Sequence, residues 1–309
     1  MDHGTLNRRH LLLGAAAGLG AAATAGAVSA KGVLKMWPLG VQLWAVNAQL
    51  QTDIPGTLKG LKDAGYDVVE TAGTIGHTAA EFGVMIRDAG LTCRSAHTSM
   101  GDLMSGLDQK IADARALGAE WLVCSSPKPL AALDPAKDWV AAMIEAMTLD
   151  AWKANAEQLA MMTPKVKAAG LKFAYHNHPM EFRDLPSEDG DGTTGYDILV
   201  GSSPDLRLEM DLGWVAAGGR DPVAMMKKYA DRIDLLHVKD MVADASAPVG
   251  YRSVEVGAGM IDWKAVFTTA HRIGVKGYFV EQEAPYLKPI MTSLSESRAY
   301  LAGLKVGWF

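Results

Sequence analysis

One phrase recurs along this chain and restricts its fold more than any composition figure: an amphipathic helical segment ends in glycine and a short apolar run follows at once. It appears at Asp63-Ala64-Gly65-Tyr66, Asp88-Ala89-Gly90-Leu91, Ala116-Leu117-Gly118-Ala119, Ala168-Ala169-Gly170-Leu171 and Arg272-Ile273-Gly274-Val275. Glycine just past a helix adopts the left-handed conformation that stops it, so each phrase marks a helix-to-strand joint. Strands that alternate with helices build a parallel sheet. Eight are expected, over residues 39–44, 67–70, 92–97, 121–125, 172–176, 206–211, 234–239 and 277–281. Eight strands close a barrel, so the expected fold is α/β, a (β/α)8 TIM barrel. A doubly wound open sheet shares these local signals, but no GxGxxG follows the first strand.

Residues 1–30 read as an export signal and are set apart from the single barrel domain expected over 31–309. Asn7-Arg8-Arg9-His10 is a twin-arginine pair ahead of an Ala/Gly/Leu run, and Val28-Ser29-Ala30 offers a cleavage site. The expected location is periplasmic or secreted, with no membrane attachment after cleavage. The remaining 279 residues suit one barrel. Their formal charge of −6, against −5 for the whole chain, argues against a nucleic-acid partner. Cys93 and Cys124 fall in separate expected strands and read as buried thiols.

Polar side chains collect at the C-terminal strand ends, where barrels of this kind carry their chemistry. The fifth strand shows it best: Phe173-Ala174-Tyr175-His176-Asn177-His178-Pro179-Met180-Glu181 places His176 and His178 on one face by the period-two rule. The other ends bring Gln42 and Trp44, Glu70, His97, Asp211 with Trp214, His237 with Lys239 and Asp240, and Glu281 with Glu283. Glu209 shares a face with Asp211. Several carboxylates in one cavity call for a cation, and mixed Asp, Glu and His ligands suit a divalent ion of the Mn2+, Zn2+, Co2+ or Mg2+ kind. The competing structure is a salt-bridge network in which Arg94, Arg207 and Lys239 pair with the acids. Between the fourth and fifth strands, the helical pattern from Trp139 to Met147 predicts a lid or an added helix over the mouth, and Ser187 to Gly192 is too polar to pack.

The blocks Tyr175-His176-Asn177-His178-Pro179-Met180-Glu181-Phe182, Met210-Asp211-Leu212-Gly213-Trp214, His237-Val238-Lys239-Asp240, Val256-Gly257-Ala258-Gly259-Met260-Ile261-Asp262-Trp263 and Phe279-Val280-Glu281-Gln282-Glu283 resemble the signatures of the xylose-isomerase-like TIM barrel superfamily. This is the sugar phosphate isomerase/epimerase group. The resemblance implies one divalent ion, Mn2+ first, on a Glu, an Asp, a His and a Glu from the fifth to eighth strands. Asp211, His237 and Glu281 match. His176 stands at the fifth-strand glutamate position, and a shift of register would bring Asn177 or His178 there instead.

The resemblance further implies proton removal α to a carbonyl through a metal-stabilised enediolate. With one glutamate of the usual pair missing, Glu181 is the first candidate for the displaced base. Glu283 or a neutral histidine is the second, and Lys239 would neutralise an oxyanion. Trp44, Glu70, His97, His178 and Trp214 are expected to bind substrate. The expected activity is isomerisation or epimerisation of an unphosphorylated sugar or keto-sugar. Elimination by a dehydratase or lyase is the close rival, and a non-catalytic carbohydrate-binding barrel is the alternative of another class. The partner is a small carbohydrate, and a homo-oligomer is compatible with the sequence.

Overall fold

The computed structural model describes residues 38–185 and 192–304. The twin-arginine segment, the polar stretch up to residue 191 and Trp308-Phe309 lie outside the described residues. The chain runs β1 (Gly40–Gln42), β2 (Val68–Ala72), β3 (Thr92–Thr98), β4 (Trp121–Cys124), β5 (Lys172–His176), β6 (Arg207–Asp211), β7 (Ile233–Val238), a hairpin of β8 (Asp240–Ala243) and β9 (Tyr251–Val254), and β10 (Gly277–Val280), with helices between the barrel strands. The parallel strands close in the order β1-β10-β7-β6-β5-β4-β3-β2. All five glycines of the recurring phrase have positive φ, between 73° and 93°. The local stop signal thus operates at each predicted joint.

Apolar side chains fill two separate spaces. Val68, Trp121, Val123, Ala174, Leu235 and Phe279 plug the barrel interior, and a larger cluster lies between strands and helices. The plug excludes water from the lower barrel, so the polar side chains one layer up can interact only with each other or with the mouth. Register sets their heights: Gln42 is level with Glu70, His176 with Glu209, and Asp211 with His237.

Three differences from the expected elements have local causes. β1 stops at Gln42 rather than Trp44, because the Gln42 side-chain oxygen accepts the Trp44 N–H at 3.0 Å and starts a 3-10 turn over Leu43–Val46. The β8–β9 hairpin was not expected, and it props the segment after β10, since Ser253 Oγ bonds both the N–H and the C=O of Glu283. Asp240, counted among the strand-end acids, is structural. Its carboxylate accepts the N–H groups of Met241, Gly257, Gly259 and Ile261 and the Trp263 indole at 2.8–3.2 Å. Gly259 is needed there, as a Cβ would stand 2.1 Å from Asp240 Oδ1.

Cys93 and Cys124 are buried and unbridged, and burial pushes both thiols up to about 12. No described helix is long and apolar enough to cross a membrane.

Candidate active site and metal centre

The strand ends converge on two layers of buried polar groups beneath a cavity of about 760 Å³. In the upper layer His176, Asp211, His237 and Glu281 each bring one ligand atom to within 4.8 Å of the others. These are the four residues expected to hold the ion. His176 and Glu281 reach the cavity wall, whereas Asp211 and His237 lie beneath it, fully buried.

Local structure aims each side chain. Asp211 ends β6 and caps the following turn by accepting the Trp214 N–H at 2.8 Å, while Asn177 brackets its backbone through both amide atoms. His237 Nδ1 sits 2.9 Å from Glu281 Oε2.

Lys239, fully buried, stands in the same layer. Its Nζ is 3.0 Å from Asp211 Oδ2, 3.0 Å from Glu281 Oε2 and 2.5 Å from Glu283 Oε1. The salt-bridge alternative therefore holds for Lys239 alone. Arg94 pairs with Glu120 and Arg207 with Asp234, both near the starts of strands and away from the mouth.

The electrostatics follow from this packing. Burial alone would disfavour the Lys239 charge, but Asp211, Glu281 and Glu283 outweigh it and push the ammonium up. Burial likewise opposes the Glu281 charge, and Lys239 with His237 more than offsets it, holding the carboxyl down. Burial raises Glu283 despite Lys239. Burial drives His178 down to about 3, with Lys239 adding to the effect, and it drives His176 well below the ordinary histidine range beside three other rings. Neutral imidazole is the form that ligates metals, and burial gives His176 that form, whereas at His237 burial is outweighed by the carboxylates of Glu209, Glu281 and Glu70, which push it well above the ordinary histidine range. His176 Nδ1 and Asp211 Oδ2 are buried and make no well-formed hydrogen bond, their polar neighbours being Glu209 Oε2 at 3.2 Å and Lys239 Nζ at 3.0 Å, and a set of two imidazoles and two carboxylates fits a divalent ion chemically.

Of the residues expected to bind substrate, Trp44, His97 and His178 line the cavity. Trp139 of the helix Trp139–Ala146 lines it too, its ring centroid 4.9 Å from that of His178 in a T-shaped contact, which places the expected helix at the mouth. Two others do not reach it. Glu70 is fully buried in the lower layer, and Trp214 is covered by Lys239 Nζ at 4.5 Å from its ring centroid.

Glu181, the first candidate for the base, also turns away. It accepts the Tyr175 hydroxyl at 2.7 Å and the His178 N–H at 3.0 Å. Tyr175 occupies the strand face opposite His176, so this carboxylate caps a 3-10 turn behind the sheet.

Sequence reasoning under-weighted Glu209. It lies in the lower layer against His97, His176 and His237, and the signal was its shared face with Asp211.

With the site in place, comparison with known proteins gives the family. The profile of the xylose isomerase-like TIM barrel matches residues 58–304, and the chain belongs to that family. A putative L-ribulose-5-phosphate 3-epimerase of Escherichia coli is 32% identical over 80 residues, 26% of this chain and 28% of that protein. An inosose dehydratase of Lacticaseibacillus casei is 27% identical over 171 residues, 50% of this chain and 55% of that protein. The chain thus matches about half the length of these relatives or less. In three dimensions, a sugar phosphate isomerase/epimerase from Parabacteroides distasonis superposes with a TM-score of 0.68 at 23% identity, covering 87% of this chain and 95% of that one.

Proposed function

We propose that this protein is a metal-dependent enzyme that removes a proton α to the carbonyl of an unphosphorylated sugar or keto-sugar. The observation that carries the reading is one layer in which His176, Asp211, His237 and Glu281 converge while Glu283 and His178 open onto the same cavity. His176, Asp211, His237 and Glu281 would hold a divalent ion, Mn2+ first with Zn2+, Co2+ or Mg2+ as alternatives, which would supply Lewis acidity.

The chain's own groups do the rest. Glu283 is the base: burial raises it above the ordinary carboxylate value, and it reaches the cavity where Glu181 does not. Lys239, 2.5 Å away, fixes that carboxylate and carries positive charge toward a developing oxyanion. His178 is neutral and lines the cavity, where it can hydrogen-bond a substrate hydroxyl. Trp44 and Trp139 flank the opening with apolar rings. Lys110 is outnumbered along the wall by Asp102, Asp113, Asp138, Glu281 and Glu283, which disfavours a phosphorylated substrate. Export through a signal over residues 1–30, itself part of this proposal, would bring the enzyme to free carbohydrate.

Return of the proton gives isomerisation or epimerisation, and loss of a leaving group gives dehydration or glycoside cleavage. The longer match to the inosose dehydratase keeps elimination beside the first reading. Proton NMR in D2O separates them. With Mn2+-loaded protein and a panel of free ketoses, ketoinositols and keto-glycosides, exchange at the α carbon with the skeleton intact marks isomerisation, and release of water or aglycone marks elimination. Binding of a panel member without α exchange would replace the enzyme by a carbohydrate-binding barrel. Glu283→Gln should cut turnover by about 10²- to 10⁴-fold with little change in KM.

A further inference from the structure

Glu283 stands on irregular chain. β10 ends at Val280, and the Glu281 N–H still bonds the Val238 C=O of the neighbouring strand at 3.3 Å. Two residues further on the backbone has left the sheet, and a carboxylate on such a segment is placed only as well as its surroundings hold it.

The holding group is a hydroxyl. Ser253 Oγ accepts the Glu283 N–H at 2.8 Å and donates to the Glu283 C=O at 2.9 Å. A serine hydroxyl has one hydrogen to give and lone pairs to receive with, so one side chain satisfies both backbone groups of one residue. Those two groups belong to the two rigid peptide planes that flank the Glu283 Cα. With both planes tied to one atom, the direction in which the side chain leaves the backbone is set.

Ser253 is itself fixed. It is buried on β9, opposite Met241 of β8, and the adjoining pair of that hairpin joins Val254 to Asp240. Past the hairpin the chain is tied to the last helix, Ile290–Gly303: Val256 N–H donates to Ser297 Oγ at 3.0 Å, and Ser293 Oγ donates to the Glu255 carboxylate at 2.7 Å. Lys239, directly ahead of β8, reaches the Glu283 carboxylate itself. The backbone and the carboxylate of Glu283 are therefore gripped from the same hairpin and its root, while Ser253 stays off the cavity wall.

We infer that Ser253 is a positioning residue for the reaction, and that through its hydroxyl the β8–β9 hairpin sets where the Glu283 carboxylate stands against the substrate. The inference rests on the proposed function, which makes Glu283 the base. Its consequence is kinetic, since a base displaced by about 1 Å loses up to about 100-fold in rate while the substrate still binds.

Steady-state kinetics of single and double variants, on the panel member that turns over, test this. Ser253→Ala should lower kcat by about 10- to 100-fold with KM within about threefold of the parent. Ser253→Thr keeps the hydroxyl on a residue suited to a strand and should bring kcat back to within about threefold of the parent. In a Glu283→Gln background Ser253→Ala should cause no further loss, because changes that act through one group do not add. Parental kcat in Ser253→Ala, or an equal fall in both backgrounds, would overturn the positioning role and leave Glu283 as the base. Parental turnover in Glu283→Gln would remove the base and overturn both. Crystal structures of the parent and of Ser253→Ala need no substrate: the Glu283 carboxylate should shift by about 1 Å or more with β7 and β10 unmoved, the scale of misplacement that costs rate. A carboxylate that keeps its place would overturn the inference whatever the panel shows.

Discussion

The phenol of Tyr175 donates to the carboxylate of Glu181 at 2.7 Å, on the side of β5 that faces away from the cavity. Burial raises this carboxyl from 4.5 to about 8, although the Tyr175 hydroxyl and the His178 N–H both favour its charged form. A folded-state value above the unfolded one means that the native protein binds the extra proton between those limits. Stability should therefore fall as pH rises from about 4.5 to about 8, with a slope of up to about 1.4 kcal/mol per pH unit, and level off above. Urea melts at pH 5, 6, 7 and 8 check this. Glu181→Gln should flatten the slope and leave turnover within a few fold, and a large loss of turnover would return Glu181 to the catalytic list.

Lys239 is the only described cation touching Asp211, Glu281 and Glu283 together. Its replacement by methionine leaves two fully buried carboxylates, Asp211 and Glu281, beside the partly exposed Glu283 with no lysine between them. The expected cost is about 3 kcal/mol or more in metal-free protein, because the loss of one partner of a buried ion pair strands the others. A divalent ion bound among the same carboxylates should restore part of it. Thermal melts of Lys239→Met with and without MnCl2 measure both effects, and an unchanged Tm in metal-free buffer would contradict the role assigned to the ammonium.

Asp240 holds the loop after β9 through three backbone N–H groups, those of Gly257, Gly259 and Ile261, and the Trp263 indole. Asp240→Ala leaves these donors without their acceptor, at a cost of about 1–3 kcal/mol for each one that water does not reach. The loop spans the Val-Gly-Ala-Gly-Met-Ile-Asp-Trp block, so that motif is expected to govern stability rather than chemistry. Chemical denaturation of Asp240→Ala should show a loss well beyond that of an ordinary surface change. A variant as stable as the parent would show that the loop does not depend on this carboxylate.

Trp139 is about two-fifths exposed at the mouth, with its ring edge on His178. Its truncation removes apolar contact from the cavity rim without touching the buried polar layers. Trp139→Ala should raise KM by about 3- to 10-fold, the size of one aromatic contact, and leave kcat within about twofold. Steady-state kinetics on the substrate found by NMR decides it. A fall in kcat with KM unchanged would assign the helix a part in the chemical step.

Much of this site was legible because its signals are local. Period-two alternation put His176 with His178 and Glu209 with Asp211 on common faces, and the polar strand ends pointed to one mouth. The errors arose where a side chain's direction depends on what packs behind it. Glu181 follows the His178 turn, where a capping interaction takes both of its oxygens. Trp214 starts the turn after Asp211 and lies under Lys239. Asp240 looks like a strand-end ligand until the loop that needs its acceptors is seen.

The sequence by itself determined the alternation of helix and strand, the eight-strand count and the choice of residues that end each strand. Glycine stops and side-chain alternation act over a few residues and need no distant partner. Only the tertiary structure decided which of those end residues meet. Glu70 and His237 are 167 residues apart in the chain and 2.6 Å apart in space. Barrel closure and strand register bring them to one height, while the apolar plug beneath leaves them no solvent to turn to.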